Sequence, residues 1–445
     1  MSTLKSFLIT FALLSAPAPP ARGQPPDLVR QLQSDIRERG PEALAGFWRS
    51  VEQQGTPLVE QTPSDSRYVS CTFLWRGDAQ TRSVLVYLPP YTRLSRDAFQ
   101  MSRVDGTDVW FVSVNLPAKS RLLYQIAVNP PAVMAAMTAT PEQNKVFRAT
   151  VRLDPFNPRR WPEDAGPATS ETFSVIELPG AEPQLWLTRQ AGVPQGKLER
   201  RVWKSSLLDN ERTVAVYTPP GYASGNPPAG LLVLFDGGDY TTKIPVPVIL
   251  DNLLAAGRIP PLVAVFIGNA AGARPYELPC NVRFAEFVHD ELMPWVRKAY
   301  NVVNTPQRTI IGGSSYGGLA ATCTALKYPE TFGNVLSQSG SYWWTPPPDP
   351  RKPFAFDLER EPNYIASMFI TRSRLPLRFY LEAGIAEISV PGQPRGVLDA
   401  NRYLRDVLLA KGYEVQYREF AGGHGALSWR GTFPDALLRT IEMWN

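Results

Sequence analysis

From about Tyr68 the chain alternates apolar and polar residues in short runs: Tyr68–Trp75, Ser83–Leu88, Trp110–Val114 and Leu122–Val128. A period of two sends successive side chains to opposite faces, so each run predicts a half-buried β-strand. Gly and Pro turns separate the runs, and the set predicts a β-sandwich of roughly a hundred residues. The residues before it, 26–54, follow a helical period. The stretch after it, from Asp154 to about Pro194, is rich in Pro, Asn and Gly and reads as an irregular linker.

Beyond that stretch the rhythm becomes strand then helix. Thr213–Tyr217, Leu231–Phe235, Leu262–Gly268, Arg308–Gly312, Asn334–Gln338, Arg378–Glu382 and Glu414–Phe420 are short apolar or β-branched runs. Between them, Asn281–Tyr300 carries the helical stripe Phe284, Phe287, Val288, Leu292 and Trp295. A second helix is predicted over Asp399–Lys411, stopped by Gly412 just past its end. Such alternation implies a mostly parallel sheet covered on both faces.

At the end of the fourth of these strands stands Gly313-Ser314-Ser315-Tyr316-Gly317-Gly318. A nucleophile on a sharp strand-to-helix turn needs small neighbours, and this GxSxG string lies between the β-branched Thr309-Ile310-Ile311 and the helix-forming Leu319-Ala320-Ala321. The fold class expected is therefore an α/β-hydrolase behind an N-terminal β-sandwich domain, with residues 24–182 in the first unit and 183–445 in the second.

Ser315 needs a base, and the chain has two histidines. His289 lies off the apolar stripe of its helix and well before the serine, where a solvated surface role is expected. His424, in Ala421-Gly422-Gly423-His424-Gly425 beyond the last strand, fits the chain order Ser, acid, His. The acid belongs in the loop after the next-to-last strand. Glu387 is preferred there over Glu382, which lies within the strand, and over Asp399, which reads as a helix N-cap. The amide of Tyr316 and that of Gly237 or Gly238, in the turn after Leu231–Phe235, are the candidate oxyanion donors.

Composition narrows the picture. With 44% hydrophobic and 20% charged residues among 445, the chain is neither fibrous nor disordered. Its charge is +5, but the lysines and arginines are scattered, with no dense basic run interleaved with aromatics, which disfavours nucleic acid as a partner and suits a small anion. Cys71, Cys280 and Cys323 have no CxxC or metal spacing, so no metal site is expected; one bridge is possible and leaves one thiol over. Residues 1–23 carry Lys5, the apolar run Phe7–Leu14 and then small residues, which predicts a signal peptide cleaved before Gln24 and a periplasmic or secreted protein. The run is too short to span a bilayer, and no membrane insertion is expected after cleavage.

Longer strings carry a resemblance. Phe47-Trp48, Gly55-Thr56-Pro57-Leu58-Val59-Glu60, Phe73-Leu74-Trp75-Arg76 and Asp154-Pro155-Phe156-Asn157-Pro158 in the first unit resemble the enterochelin (enterobactin) esterases. So do Leu234-Phe235-Asp236-Gly237, Ser337-Gln338-Ser339-Gly340-Ser341-Tyr342-Trp343-Trp344, Leu381-Glu382-Ala383-Gly384 and Gly422-Gly423-His424 with Trp429-Arg430-Gly431 in the second. The resemblance covers nearly all of the mature chain and puts Ser315, Glu387 and His424 at the family's triad positions. It implies hydrolysis of a catecholate siderophore trilactone, with iron present only as part of the substrate and no other cofactor. A ferric tris-catecholate is large, aromatic and trianionic, so Arg274, Arg430, Trp343, Trp344 and Trp429 are candidates to bind it. Glu291 is expected to pair with an arginine. Family members with two domains are commonly cytoplasmic, whereas this chain combines both domains with an export signal. The alternatives are a general or feruloyl-type carboxylesterase and a non-catalytic siderophore-binding protein.

Overall fold

A computed structural model describes residues 22–62, 65–89, 91–134, 139–163, 171–354, 364–390 and 395–444. The predicted signal peptide lies outside them apart from Arg22 and Gly23. The Gly23 amide donates to the Ser113 carbonyl at 2.8 Å, a bond that cleavage before Gln24 would remove.

Two antiparallel sheets form the N-terminal unit. One has the order Leu58–Gln61, Tyr68–Arg76, Val109–Pro117, Ser102–Arg103, and the other the order Val84–Tyr87, Arg121–Val128, Phe173–Glu177, Arg160–Trp161. Alternate residues from both sheets, among them Cys71, Phe73, Val86, Tyr124 and Ile126, meet in one core. Helices Asp27–Arg39 and Pro41–Gln54 cover the outer face of the first sheet, setting Trp48 and Val51 against Leu74 and Val109.

The expected linker is corrected by this architecture. Phe173–Glu177 pairs along Arg121–Tyr124 as an inner strand. The Pro and Asn residues ahead of it build a polar knot: the buried Asp154 accepts from Thr56 Oγ1 and Tyr124 Oη at 2.8 and 2.7 Å, and Asn157 Nδ2 donates to the Val175 carbonyl. Side-chain bonds of this kind satisfy backbone that turn residues leave out of a ladder.

The second unit is one sheet of eight strands, β1 (Lys197–Ser205), β2 (Asn210–Thr218), β3 (Gly230–Phe235), β4 (Leu262–Ile267), β5 (Thr309–Ser314), β6 (Asn334–Gln338), β7 (Arg378–Gly384) and β8 (Glu414–Phe420). Their spatial order is β1-β2-β4-β3-β5-β6-β7-β8. The first two strands run antiparallel and every pairing from β4 onward is parallel. β3, β4 and β5 are buried on both faces, which is why they read as unbroken apolar runs. β1, KLERRVWKS, escapes a reading by pattern because it is an edge strand exposed on both faces and defended by charge.

Two further expectations change. The helix after β4 begins at Val282 and buries Phe284, Phe287, Val288 and Leu292 as predicted, with a π-helical stretch over Phe287–Leu292. Among the described residues Glu291 on it meets no arginine; it accepts from Ser206 Oγ at 2.5 Å and the Leu207 amide at 2.8 Å. The helix after β7 spans Val397–Ala410 with Gly396 as N-cap, so Asp399 sits inside the first turn, where a carboxylate favours the helix dipole.

The units share more than a chain crossing. Trp161 and Val175 of the sandwich pack in one apolar cluster with Phe420, Leu427 and Trp429. Ala386, from the loop after β7, enters the sandwich core. The Arg121 amide donates to the Ala421 carbonyl at 3.0 Å, from the residue at which the sandwich's own pairing with Phe173–Glu177 begins.

Candidate active site

The chain leaves β5 at Ser314, turns at Ser315 and enters the helix Tyr316–Lys327. Ser315 has φ 56° and ψ −122°, a region that costs a non-glycine residue of order 1–3 kcal/mol and that projects its hydroxyl from the sheet. The flanking glycines make the turn possible. A Cβ on Gly313 would stand 2.7 Å from the Gly317 carbonyl carbon, so β5 and the helix touch backbone to backbone.

Ser315, His424 and Glu387 converge although 109 residues separate the first two. Ser315 Oγ lies 2.9 Å from His424 Nε2, and His424 Nδ1 lies 2.8 Å from Glu387 Oε1. The other oxygen of Glu387 accepts the Gly384 amide at 2.8 Å, which fixes the carboxylate plane. The Glu387 side chain is 1% exposed and the imidazole 39%, so the ring stands between a buried anion and the open side of the site. Trp429 packs edge-on to the imidazole at 4.9 Å and donates its Nε1–H to Ser339 Oγ at 2.9 Å.

Glu382, the alternative acid, does not reach His424. It is fully buried under the C-terminal ends of the strands, and burial pushes its carboxyl up to about 6 despite bonds from Thr432, Gln338 and Tyr380. His289 stacks on Tyr328 at 3.9 Å and stands 2.6 Å from Asp290, away from Ser315.

Opposite the serine, the chain leaves β3 through Asp236, itself left-handed at φ 52°, into the short helix Gly237–Thr241. First-turn amides have no intrahelical partner, and those of Gly237 and Gly238 fall there, as that of Tyr316 does in its own helix. Gly237 is obligatory for packing, since its Cβ would stand 2.6 Å from the Phe266 carbonyl carbon, whereas Gly238 faces open space. Arg274 grips Asp236 with both arms of its fork at 2.7 Å, and Asn269 Nδ2 donates to the same carboxylate at 2.6 Å. The Arg274 guanidinium also lies 5.6 Å from the Tyr316 ring centre, so it spans both candidate donor turns.

A cavity of about 470 Å³ opens over Ser315 and His424. Of the five proposed ligand-binding residues, Arg274 and Trp343 line it. Trp344 turns inward against Tyr364, and Trp429 sits beneath His424 in the core. Arg430 lies in a separate cleft at the domain junction, bonded to Glu163 and Gln184 and stacked on Trp161 at 4.6 Å. The walls also hold Pro89 and Arg93 from the N-terminal unit, Phe354, Ile388, Val390 and Arg395, which the sequence reading did not select. For Ile388, Val390 and Arg395 the one sequence signal is their place close behind Glu387. Among the described residues no group of three His, Cys, Asp or Glu is arranged to hold a metal ion.

Cys280 and Cys323 are joined in a disulfide, and Cys71 is a buried free thiol. The bridge ties the loop behind Arg274 to the middle of the helix that starts at Tyr316.

A sheet of this order with a serine on the turn after β5 defines the class of α/β-hydrolase esterases. Residues 205–440 match the family model described as putative esterase, and residues 70–187 match the one described as enterochelin esterase, N-terminal. The chain belongs to the iron(III) enterobactin esterase family. It is 32% identical over 444 residues to the iron(III) enterobactin esterase of Dickeya dadantii, covering 93% of this chain and 96% of the relative. Among solved structures, the ferric enterobactin esterase of Salmonella typhimurium superposes with a TM-score of 0.69 at 29% identity, covering 89% of this chain and 98% of the other. The enterobactin esterase of Shigella flexneri, crystallised in the presence of enterobactin, gives 0.67 at 29% identity, with 90% and 97% covered.

Proposed function

We propose that this ester hydrolase opens the trilactone ring of a catecholate siderophore, with Ser315 as nucleophile, His424 as general base and acid, and Glu387 as the group that orients the imidazole. The observation that carries the reading is the hydrogen-bonded series Ser315–His424–Glu387 at the floor of a cavity walled by arginines.

The chemistry follows from those contacts. As Ser315 Oγ attacks an ester carbonyl, His424 Nε2 takes its proton, while Nδ1–H donates to Glu387 and the resulting imidazolium is stabilised by that buried anion. Negative charge gathers on the carbonyl oxygen, and the amide of Tyr316 with one from the Gly237–Gly238 turn is suited to receive it. The intermediate collapses as His424 returns the proton to the departing alkoxide, and water then releases the acyl group by the same steps. Iron enters as part of the substrate and takes no part in these proton transfers.

Ser315→Ala is expected to lower kcat on the ferric trilactone by roughly 10³-fold or more while retaining ligand binding, because the oxyanion donors and pocket remain. Turnover near that of the wild type would overturn the assignment. A general aryl esterase is the other outcome of that assay, marked by turnover of simple aryl esters with none on the trilactone.

We further propose that the protein acts outside the cytoplasm. The N-terminal apolar run supports this, as does the Cys280–Cys323 bridge, since disulfides persist in oxidising compartments. N-terminal sequencing of exported protein is expected to begin at or near Gln24; intact Met1 on a cytoplasmic product would refute it.

A further inference from the structure

We infer that Arg93, supplied by the N-terminal unit, is a substrate-recognising residue of the catalytic cavity that reads the charge of an anionic metal-loaded catecholate. The inference rests on the trilactone reading above and deepens it, because it names the charged ferric complex as the preferred form.

Arg93 stands on the short helix Tyr91–Leu94 and reaches the wall of the cavity that Ser315 and His424 floor. Its position is held from within its own domain. Nη2 donates to Tyr87 Oη at 2.8 Å, the guanidinium lies 5.9 Å from the Tyr87 ring centre, and that tyrosine is buried. Among the described residues no carboxylate comes within ion-pair distance of it, and its Nε is buried without a hydrogen-bond partner. A guanidinium stays charged at every working pH, and a buried N–H left unpaired is costly, so a group in this state is suited to an incoming acceptor.

The rest of the cavity sharpens the point. Arg274 has both arms of its fork committed to Asp236. Among the described residues Glu387 is the one carboxylate of the lining, and it is turned toward His424 and the Gly384 amide. Among the described residues the wall therefore sets Arg93, Arg274 and Arg395 against Glu387, and Arg93 keeps an N–H without a partner. A ferric ion held by three catecholate dianions carries three negative charges spread over six oxygens, whereas the iron-free trilactone carries fewer. A planar fork bonds such oxygens with charge assistance. Arg93 does not contact Ser315 or His424, so its effect belongs in substrate affinity and not in bond breaking.

The experiment uses the full chain with Arg93→Met and Arg93→Lys, assayed on the ferric trilactone and on neutral p-nitrophenyl butyrate. Arg93→Met is expected to raise KM for the ferric complex about tenfold, the scale of one lost charge-assisted bond, with kcat within about twofold. The neutral ester should lose less than about threefold in kcat/KM, and Arg93→Lys should recover part of the KM. An unchanged KM on the ferric complex overturns the inference. Equal losses on both substrates overturn it too, since they mark a structural role. If the wild type cleaves the neutral ester but not the trilactone, the proposed function fails by itself. Arg93 is then judged by tryptophan quenching with the ferric complex, comparing Ser315→Ala with Ser315→Ala/Arg93→Met: a tenfold weaker Kd sustains it, and equal or immeasurable binding ends it.

Discussion

Glu382 lies within β7 and Glu387 in the loop that leaves it, and Glu387 meets the histidine while Glu382 is sealed below it. Glu387→Gln keeps the shape but withdraws the charge opposite the imidazolium, and a loss on the order of 10²–10⁴ in kcat is expected. Glu382→Gln touches neither Ser315 nor His424 and should lose less than about tenfold; a collapse there with Glu387→Gln unaffected would exchange their roles. Stability gives an independent mark. The folded carboxyl of Glu382 is raised from 4.5 to about 6, so between those values the fold binds a proton that the unfolded chain has released. Stability therefore falls as pH rises through that window, by about 2 kcal/mol, and Glu382→Gln should flatten this part of the melting profile. Ser315 and His424 were legible in the sequence because a turn motif and a choice between two histidines leave little freedom. Glu387 was preferred as the acid over Glu382 and Asp399, a choice that rested on where β7 ends, and a strand's last residue is not defined by its pattern. Arg93 was not legible at all: it sits more than two hundred residues ahead of Ser315, and only tertiary packing brings it to the cavity.

At the scale of elements, apolar run length carried the sheet. β3 to β8 were each found in the sequence within two residues, β3 to β7 because buried parallel strands leave few polar interruptions, whereas β8, EVQYREF, is a half-buried edge strand. β1 and Phe173–Glu177 were missed for opposite reasons, the first being charged on both faces and the second a five-residue strand set among turn residues. The pairing of the cysteines was equally closed to sequence reasoning, because it depends on where the loop at Cys280 meets the helix at Cys323. That bridge closes 43 residues and ends in the middle of the helix that follows Ser315. Replacing both cysteines by serine is expected to lower stability by about 2–4 kcal/mol and to shift Tm downward. Melting curves under oxidising and reducing conditions check this, and a Tm insensitive to reductant would show that the bridge does not stabilise the fold.

For the whole molecule, the sandwich and the hydrolase unit were predicted as neighbours, and the depth of their junction was not. Binary patterns report which residues are buried, not which domain buries them. Trp161 and Val175 fall in the stretch read as a linker, and their packing with Leu427 and Trp429 has no signature along the chain. Ala386 and Ala421 extend the junction on either side of the Glu387 and His424 loops, so the sandwich helps hold the two residues that face Ser315. Heating should register this as cooperativity. Two units joined by a mere linker absorb heat in separate steps, whereas a common apolar cluster forces them to unfold together. Calorimetry of the full chain is expected to give one endotherm whose calorimetric and van't Hoff enthalpies agree, and two resolved peaks would contradict it. Under that single transition the catalytic centre has no thermal existence of its own: esterase activity disappears at the temperature where the sandwich melts.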